Sequence, residues 1–224
     1  MIKLVSILQR RNGMDVEAFQ AHWRDVHAGV VSRLPGLRRY VQCHTLLSGY
    51  KKLQPAADGV AELWFDSTDA LRALNGSSVL DAVRADEARF IDTERHVQLF
   101  VDEHVIKDGA VPASGVKNIE FVHRKAGMDV PEFQRYWREV HGPLGASIPT
   151  IDRYVQNHAR ATSYLNGRTP ALDGFALTWF ESTQAMRGSV GTDAYAATRD
   201  DEANFVRGHL DFIITREHVI LPGP

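Results

Sequence analysis

Short stretches of alternating and β-branched apolar residues give way to longer stretches at helical spacing along this chain. Ile2–Gln9 is short, apolar and rich in β-branched residues, which predicts a strand. Asn12-Gly13 supplies turn chemistry after it, and Asp15 is a suitable N-cap for a helix. The next apolar residues recur at helical spacing, at Phe19, Trp23, Val26 and Val30. A strand followed by a helix is therefore expected at the start of the chain.

The pattern continues through three more strands and a second helix. The strands are expected at Leu37–Leu47, Gly59–Phe65 and Glu94–Ile106. Ser67 is placed as the N-cap of the second helix, which is expected to break near Asn75-Gly76 before it resumes. The resulting order, β-α-β-β-α-β, is that of the ferredoxin-like unit, so the predicted fold class is α+β.

The second half of the sequence repeats the first. Nine of the fourteen positions in 14–27 are identical in 128–141, and later segments match in the same order. We therefore predict two ferredoxin-like repeats, 1–107 and 116–224, joined by a short linker rich in small residues. Each repeat would cover one sheet face with helices and leave the other bare. The simplest way to bury both bare faces is sheet against sheet, which would make the chain an intrachain pseudo-dimeric α/β barrel.

Composition narrows the function classes. The chain has 224 residues, a net charge of −2 and a single cysteine, Cys43. No basic surface for nucleic acid is indicated, and no apolar run is long enough to span a membrane. With no export leader and no disulfide, a cytoplasmic protein is expected. Cys43 alternates away from the proposed site, and we interpret it as packing.

Polar side chains that suit acid–base chemistry form a stripe along the second strand of each copy. A period of two puts a phenol, an amide and an imidazole on one face, Tyr40, Gln42 and His44 in the first copy and Tyr154, Gln156 and His158 in the second. We expect this stripe to face a cavity between the sheets, with the purely apolar faces under the helices. The alternative is that these groups only satisfy one another.

Other strands add residues to the same proposed cavity. Glu62 and Trp64 share a face of the third strand, and Trp179 keeps that place in the second copy. His104 shares a face of the fourth strand with other polar residues. These side chains, together with Gln42 and Gln156, are expected to bind substrate. The tyrosines and histidines of the stripe, Tyr40, Tyr154, His44 and His158, are expected to be catalytic.

The histidine that ends the first helix is a second catalytic candidate. His27 and His141 each lie four residues after a tryptophan and so on about the same helix face. An imidazole there could equally serve the helix dipole and tether the next loop.

The sequence contains no glycine-rich phosphate loop, no nucleophile elbow and no metal-ligand spacing. No metal and no organic cofactor are therefore expected. Haem stays open, because it needs only one histidine ligand.

The spacing Phe19-x-x-x-Trp23-x-x-x-His27, followed by Tyr40-Val41-Gln42, resembles the EthD family. The second copy is closer, because it adds Pro143 after its histidine, where the first copy has Gly29. The resemblance implies a dimeric α/β-barrel fold, here fused in tandem, and an association with degradation of ethers and aromatics and with polyketide tailoring. It carries His27, His141, Tyr40, Gln42, Tyr154 and Gln156 over as site residues.

Three functions compete on this evidence. The first is an enzyme without an organic cofactor, in which Tyr and His deprotonate or polarise an aromatic or polyketide-like molecule; oxygenation, decarboxylation and isomerisation are all open. The second is an accessory protein that holds a small apolar molecule without turnover. The third is a haem binder. The chain could also form a homodimer, because an uncovered sheet edge or face can pair with a second copy.

Overall fold

The structure, a computed structural model, describes residues 1–223, which group into two compact units. Unit 1 comprises Met1–Val101 and the segment from Arg216 onward, and unit 2 comprises Asp102–Thr215. The boundaries of these units therefore differ from those of the sequence copies, 1–107 and 116–224, because the last strand of each copy is divided between the two units.

Unit 1 has the element order expected for a ferredoxin-like repeat. Its strands are β1 (Ile2–Leu8), β2 (Leu37–Thr45), β3 (Gly59–Phe65) and the first part of β4 (Val97–Lys107). Its helices are α1 (Val16–His22), α2 (Ala28–Val31), α3 (Thr68–Arg72) and α4 (Ser78–Phe90). A π-helical turn, Trp23–His27, joins α1 to α2 without a break, and a 3₁₀ turn, Leu47–Lys51, follows β2.

The helices of unit 1 begin and break where the sequence predicts. Asp15 accepts hydrogen bonds from the backbone N–H groups of the first turn of α1, and Ser67 does the same for α3. Between α3 and α4 the chain turns at Gly76, whose φ of 76° favours glycine. The predicted helix break therefore has a local backbone cause.

The sheet of unit 1 is antiparallel, with strand order β4-β1-β3-β2. Its register pairs Ser6 with Ala61 on β3 and with Gln98 on β4. The helices cover one face, where large apolar side chains form the core around Phe19, Trp23, Phe65 and Phe90. Each of these aromatic rings is 1% exposed or less, so each contributes about 1.5–3 kcal/mol of hydrophobic burial.

Unit 2 repeats this arrangement. Its strands are β5 (Val116–Val122), β6 (Arg153–Ala159), β7 (Gly174–Phe180) and the first part of β8 (Asp211–Leu221). Its helices are α5 (Val130–Tyr136), α6 (Gly142–Ala146), α7 (Thr183–Ser189) and α8 (Asp193–Asp201), with a π-helical turn at Trp137–His141 and 3₁₀ turns at Ala161–Gly167 and Glu202–Asn204. The antiparallel strand order is β8-β5-β7-β6.

None of the helices in residues 1–223 has the length and apolar character required to cross a membrane.

Candidate active site

Unit 1 contains a cavity of about 570 Å³ between its helices and its sheet. Trp23 and His27 of the π-helical turn line it from the helix side, and Tyr40 lines it from β2. His96, immediately before β4, and Gln98, near the beginning of β4, line the same space. The volume is within the range of about 300–1,000 Å³ that is typical of small-molecule sites.

The polar stripe of β2 lies on the helix-covered face, so its predicted position facing a cavity between the sheets is wrong. Trp23, in the helix layer, donates from Nε1 to the Tyr40 hydroxyl (3.1 Å), and Gln42 Nε2 donates to the Trp23 carbonyl oxygen (2.8 Å). The prediction failed because polar groups were assumed to avoid the face under the helices. Here they are satisfied by the helix backbone and by one another.

Hydrogen bonds in the stripe fix the role of each group. Gln42 donates to Trp23 and, at 2.9 Å, to the Tyr40 hydroxyl, so its amide oxygen is left as an acceptor. His44 Nε2 lies 2.9 Å from that oxygen and must therefore carry the proton. The Tyr40 oxygen accepts from both Trp23 and Gln42, which leaves its own hydrogen free to donate. Because Tyr40 lines the cavity, it can offer that hydrogen to a bound molecule.

His44 supports the site and does not line the cavity. Its ring stacks on Trp23 at 4.3 Å and meets the ring of His218 edge-on at 4.5 Å. Burial is the main cause that lowers the pKa of His44, to about 3, so the imidazole is neutral. His44 and Gln42 therefore hold Trp23 and Tyr40 in place, and neither lines the cavity of unit 1.

The π-helical turn sets the position of His27. The wider turn keeps the helix continuous and places His27 over the sheet, 4% exposed, with its ring 4.8 Å from that of Phe90. Such turns are frequent at functional sites. Gly29, where the resemblance to EthD leads one to expect proline, lies in α2 beyond the turn, and both copies exit the turn into a helix.

His27 and Asp86 form an oriented pair. His27 Nδ1 lies 2.8 Å from Asp86 Oδ2, and the carboxylate also binds His22 Nε2, at 3.1 Å from its other oxygen. A carboxylate only accepts, so His27 Nδ1 carries the proton and Nε2 keeps its lone pair. Burial is the largest cause that lowers the pKa of His27, and it outweighs the Asp86 interaction that would raise it. His27 is therefore a neutral base at pH 7.

Unit 2 contains the same pair and the same stripe. His141 Nδ1 lies 3.0 Å from Asp201 Oδ2, and burial is the main cause that lowers the pKa of His141. Gln156 Nε2 donates to the Trp137 carbonyl oxygen (2.8 Å) and to the Tyr154 hydroxyl (2.9 Å). His158 stacks on Trp137 at 4.5 Å, and His104 meets His158 edge-on at 4.6 Å. His104 therefore packs against this network and does not line the cavity of unit 2.

A smaller cavity of about 220 Å³ lies between the helices and the sheet of unit 2. His141 and Tyr154 line it, as their counterparts do in unit 1. Glu120 of β5 and Glu202 also line it, together with Arg199 of α8. The two units thus share the histidine–tyrosine pair but differ in the size and polarity of the space beside it.

Three of the predicted substrate-binding residues lie on the sheet face away from these cavities. Glu62 Oε2 is 2.7 Å from Lys3 Nζ, and that ammonium lies 4.4 Å from the centre of the Trp64 ring. In unit 2, Lys117 Nζ lies 4.5 Å from the centre of the Trp179 ring. Placing Glu62, Trp64 and Trp179 with the tyrosine stripe was therefore wrong. Alternation along β3 and β7 was read correctly, but the stripe of β2 and β6 faces the other way.

Among residues 1–223, one group of three side chains could bring donor atoms together for a metal. Cys43, Glu62 and Glu217 place these atoms within 4.8 Å of one another. Glu62 already pairs with the Lys3 ammonium, which would repel a cation, so the donor set does not favour a metal. Cys43 is fully buried on the face opposite the tyrosine stripe, and its Sγ donates to Glu62 Oε1 at 3.4 Å.

The carboxylates of both sites were not predicted from the sequence. Asp86 and Asp201 occupy equivalent positions in the repeated triplet Asp-Glu-Ala. The glutamates of that triplet, Glu87 and Glu202, line the cavities, and burial is the main cause that raises the pKa of each to about 7. The Asp-Glu pair that recurs in both copies, on a segment that packs against the core, was the sequence feature from which these carboxylates could have been predicted.

Residues 11–94 and 125–209 match the EthD domain family. The chain belongs to the EthD family. Both matched segments include the histidine, the tyrosine and the carboxylate described above, so each EthD repeat contains one complete set of these three residues. Curated proteins provide no match to this sequence.

Solved structures with the same fold cover nearly the whole chain at low identity. An anthrone oxidase-like protein matches at 11% identity with a TM-score of 0.64, covering 98% of this chain and 93% of that one. A provisionally named monooxygenase from Lactobacillus acidophilus matches at 12% identity with a TM-score of 0.56, covering 99% of this chain and 96% of that one. A mutant chlorite dismutase from Candidatus Nitrospira defluvii matches at 9% identity with a TM-score of 0.51, covering 96% of this chain and 91% of that one. At these identities the likeness shows the fold alone, and it confirms the predicted class, tandem ferredoxin-like repeats of the α/β-barrel type.

Proposed function

We propose that this EthD-family protein is an acid–base enzyme that deprotonates an enolisable or phenolic aromatic small molecule without an organic cofactor. The observation that carries the proposal is the orientation of His27. Its Nδ1 is held by Asp86, so its unprotonated Nε2 is the nitrogen available to a molecule in the cavity of unit 1. A neutral imidazole oriented by a carboxylate is a general base that operates near pH 7.

Tyr40 supplies the complementary group. When a proton leaves carbon next to a ketone, negative charge develops on the ketone oxygen, and a preorganised donor lowers the barrier. The Tyr40 hydroxyl has its oxygen occupied by Trp23 and Gln42 and its hydrogen free, so it is committed to donating. Burial raises the pKa of Tyr40 well above its usual value, so the donor stays protonated at working pH.

The cavity itself favours an aromatic substrate. More than half of its lining is aliphatic or aromatic, and the polar remainder includes His27 and Tyr40 as well as charged residues such as Arg72 and Glu87. Such a lining binds a flat apolar ring system and leaves one edge for proton transfer. The name of the anthrone oxidase-like neighbour is consistent with this class, because anthrone is a tricyclic ketone that enolises. A carbanion or phenolate formed in this way can react with dioxygen, which is why an oxygenase is the finer form of the proposal.

The proposal is tested with anthrone as the probe and the double variant His27→Gln/His141→Gln. We expect the wild-type chain to accelerate anthrone turnover and the double variant to lose about 10²–10⁴-fold of that rate, since this is the typical contribution of a general base. In the wild-type chain, kcat/KM should fall with acid through an apparent pKa below 6.5, because burial lowers the pKa of His27. Equal rates for the two proteins would show that neither histidine is the base.

Haem binding is the alternative that His27 also supports. A haem iron needs one histidine nitrogen that faces a cavity, and His27 Nε2 meets this requirement. Iron there would occupy the nitrogen that the acid–base proposal uses, so the two functions exclude each other. Soret absorption by purified protein after addition of haem, lost in His27→Gln, would support haem binding; a colourless protein supports the acid–base role.

Three other expectations remain proposals. Binding without turnover is supported if anthrone binds and is recovered unchanged. Assembly of two chains and a cytoplasmic location stay predictions; native mass spectrometry of the purified chain counts its copies directly.

A further inference from the structure

The two cavities differ in the groups that flank the shared histidine–tyrosine pair. Ser6 on β1 and Glu120 on β5 occupy equivalent positions in the two units. Ser6 pairs with Gln98 and Glu120 pairs with Phe212, so Gln98 of unit 1 corresponds to Phe212 of unit 2. Two residues earlier, His96 of unit 1 corresponds to Leu210 of unit 2. Unit 1 therefore has an imidazole at a position where unit 2 has an apolar side chain, although His209, one residue before Leu210, also lines the cavity of unit 2.

His96 is oriented towards the cavity and is unsatisfied. It lines the cavity together with His27, and its Nε2 is buried without a hydrogen-bond partner in the part of the chain that the structure describes. A buried polar nitrogen without a partner costs free energy, so a site that retains one gains from a bound molecule that pairs with it. Burial is the main cause that lowers the pKa of His96, with a smaller effect from His27.

In unit 2 the corresponding space is occupied by an ion-pair ladder. Arg199 Nη1 lies 2.7 Å from Glu202 Oε1 and 3.6 Å from Glu120 Oε1, which links the sheet to the helix layer. In unit 1, Ser6 stands in place of Glu120, and Arg84, which borders the cavity with its side chain 62% exposed, lies 3.9 Å from Asp81 and does not link the helix layer to the sheet in this way. The ladder explains why the cavity of unit 2 is about 220 Å³ against about 570 Å³ in unit 1. The smaller volume is below the usual range for a drug-sized ligand.

We propose that turnover of the aromatic substrate is confined to unit 1, where His96 binds a second oxygen function of that substrate. The inference rests on the proposed function and adds two features to it: which repeat is active, and a preference for a ring ketone that also has a hydroxyl group. Unit 2 keeps His141 and Asp201, but its cavity does not admit the same molecule.

The active repeat is identified with single variants of the full chain and anthrone as the probe. His27→Gln should lose most of the activity, about 10²-fold or more, while His141→Gln should retain it. Equal partial losses in the two variants would overturn the confinement to unit 1 and leave the proposed function standing. No loss in either variant, nor in the double variant, would instead refute the proposed function.

The role of His96 is tested by comparing anthrone with a monohydroxyanthrone whose hydroxyl is remote from the ketone. We expect His96→Phe to raise KM for the hydroxylated probe about tenfold more than it changes KM for anthrone, the equivalent of one hydrogen bond. His96→Gln should recover part of the difference, because its amide can also form a hydrogen bond. His123→Phe, which changes another half-buried histidine away from both cavities, is the matched control. Equal fold-changes in KM for anthrone and for the hydroxylated probe in His96→Phe would refute the assignment.

Discussion

Replacing Asp86 by asparagine should inactivate the site while preserving its shape. Asp86 accepts from His27 Nδ1 at 2.8 Å and from His22 Nε2 at 3.1 Å. An asparagine has one acceptor oxygen for these two donors, and its NH₂ group would face one of the imidazoles. If that imidazole is His27, the ring must change tautomer and place its proton on Nε2, where it can no longer accept one from substrate.

The expected size follows from the role of a general base. Loss of that role costs about 10²–10⁴ in rate, which corresponds to about 2.7–5.4 kcal/mol of transition-state stabilisation. The assay is kcat/KM for anthrone, with ¹⁵N NMR of the imidazoles to report the His27 tautomer. Circular dichroism and urea denaturation confirm that the variant is folded.

Asp25→Asn is the matched control, because Asp25 is on the same helix layer, is 58% exposed and pairs with its neighbour Arg24 at 2.8 Å. It should keep wild-type activity. If folded Asp86→Asn protein retained kcat/KM within about threefold of wild type, against the loss expected of a general base, His27 would not depend on Asp86 and the oriented-base argument would be refuted.

Three further predictions concern the stripe and its packing. Gly59→Ala would place a Cβ atom in steric clash with Trp23 Cζ3, so we expect about 1–3 kcal/mol of destabilisation in urea denaturation. Gly29→Ala, whose Cβ meets nothing within 4 Å, should not destabilise the fold, and equal stabilities of the two variants would contradict the close packing. Tyr40→Phe removes the donor to the ketone oxygen and should lower kcat for anthrone about 10²-fold. Because burial raises the pKa of Tyr40, the wild-type rate should not fall through deprotonation of this hydroxyl at any pH up to 9. A tyrosine-like inflection in the rate below that pH would contradict Tyr40 as the donor. His44 has a folded-state pKa of about 3 against about 6.5 when unfolded, so the unfolded chain gains a proton first as pH falls. The His44 contribution should therefore remove about 2 kcal/mol of stability between pH 6.5 and pH 5. The drop measured for His44→Gln should be smaller than that of wild type by this amount, while His158, whose pKa is also lowered to about 3, still contributes to it; equal drops would contradict the assignment.

The elements of the fold could be predicted because local patterns determine them. The periods of two and 3.6, the caps at Asp15 and Ser67 and the turn at Gly76 all act over a few residues, and each agrees with the structure. The internal repeat added the tandem organisation, because it requires only a comparison of the chain with itself.

The candidate site was predicted in part, because its geometry depends on contacts distant in sequence. His27 and Tyr40 were identified from their residue types and spacing. Asp86 was not, since 59 positions separate it from the histidine that it orients. The direction of the β2 stripe was misassigned because the π-helical turn that satisfies Gln42 and Tyr40 has no clear signature in the sequence.

Exchange of the acidic C–H hydrogens of anthrone in D₂O without oxygen tests the central claim most directly. Followed by ¹H NMR, exchange reports deprotonation by the protein and is independent of any later oxidation. The account predicts that the wild-type chain accelerates exchange, that His27→Gln loses about 10²-fold or more of this acceleration, and that the protein rate falls with acid through a pKa below 6.5. Exchange at the same rate with wild-type and His27→Gln protein would contradict the assignment of His27 as the base.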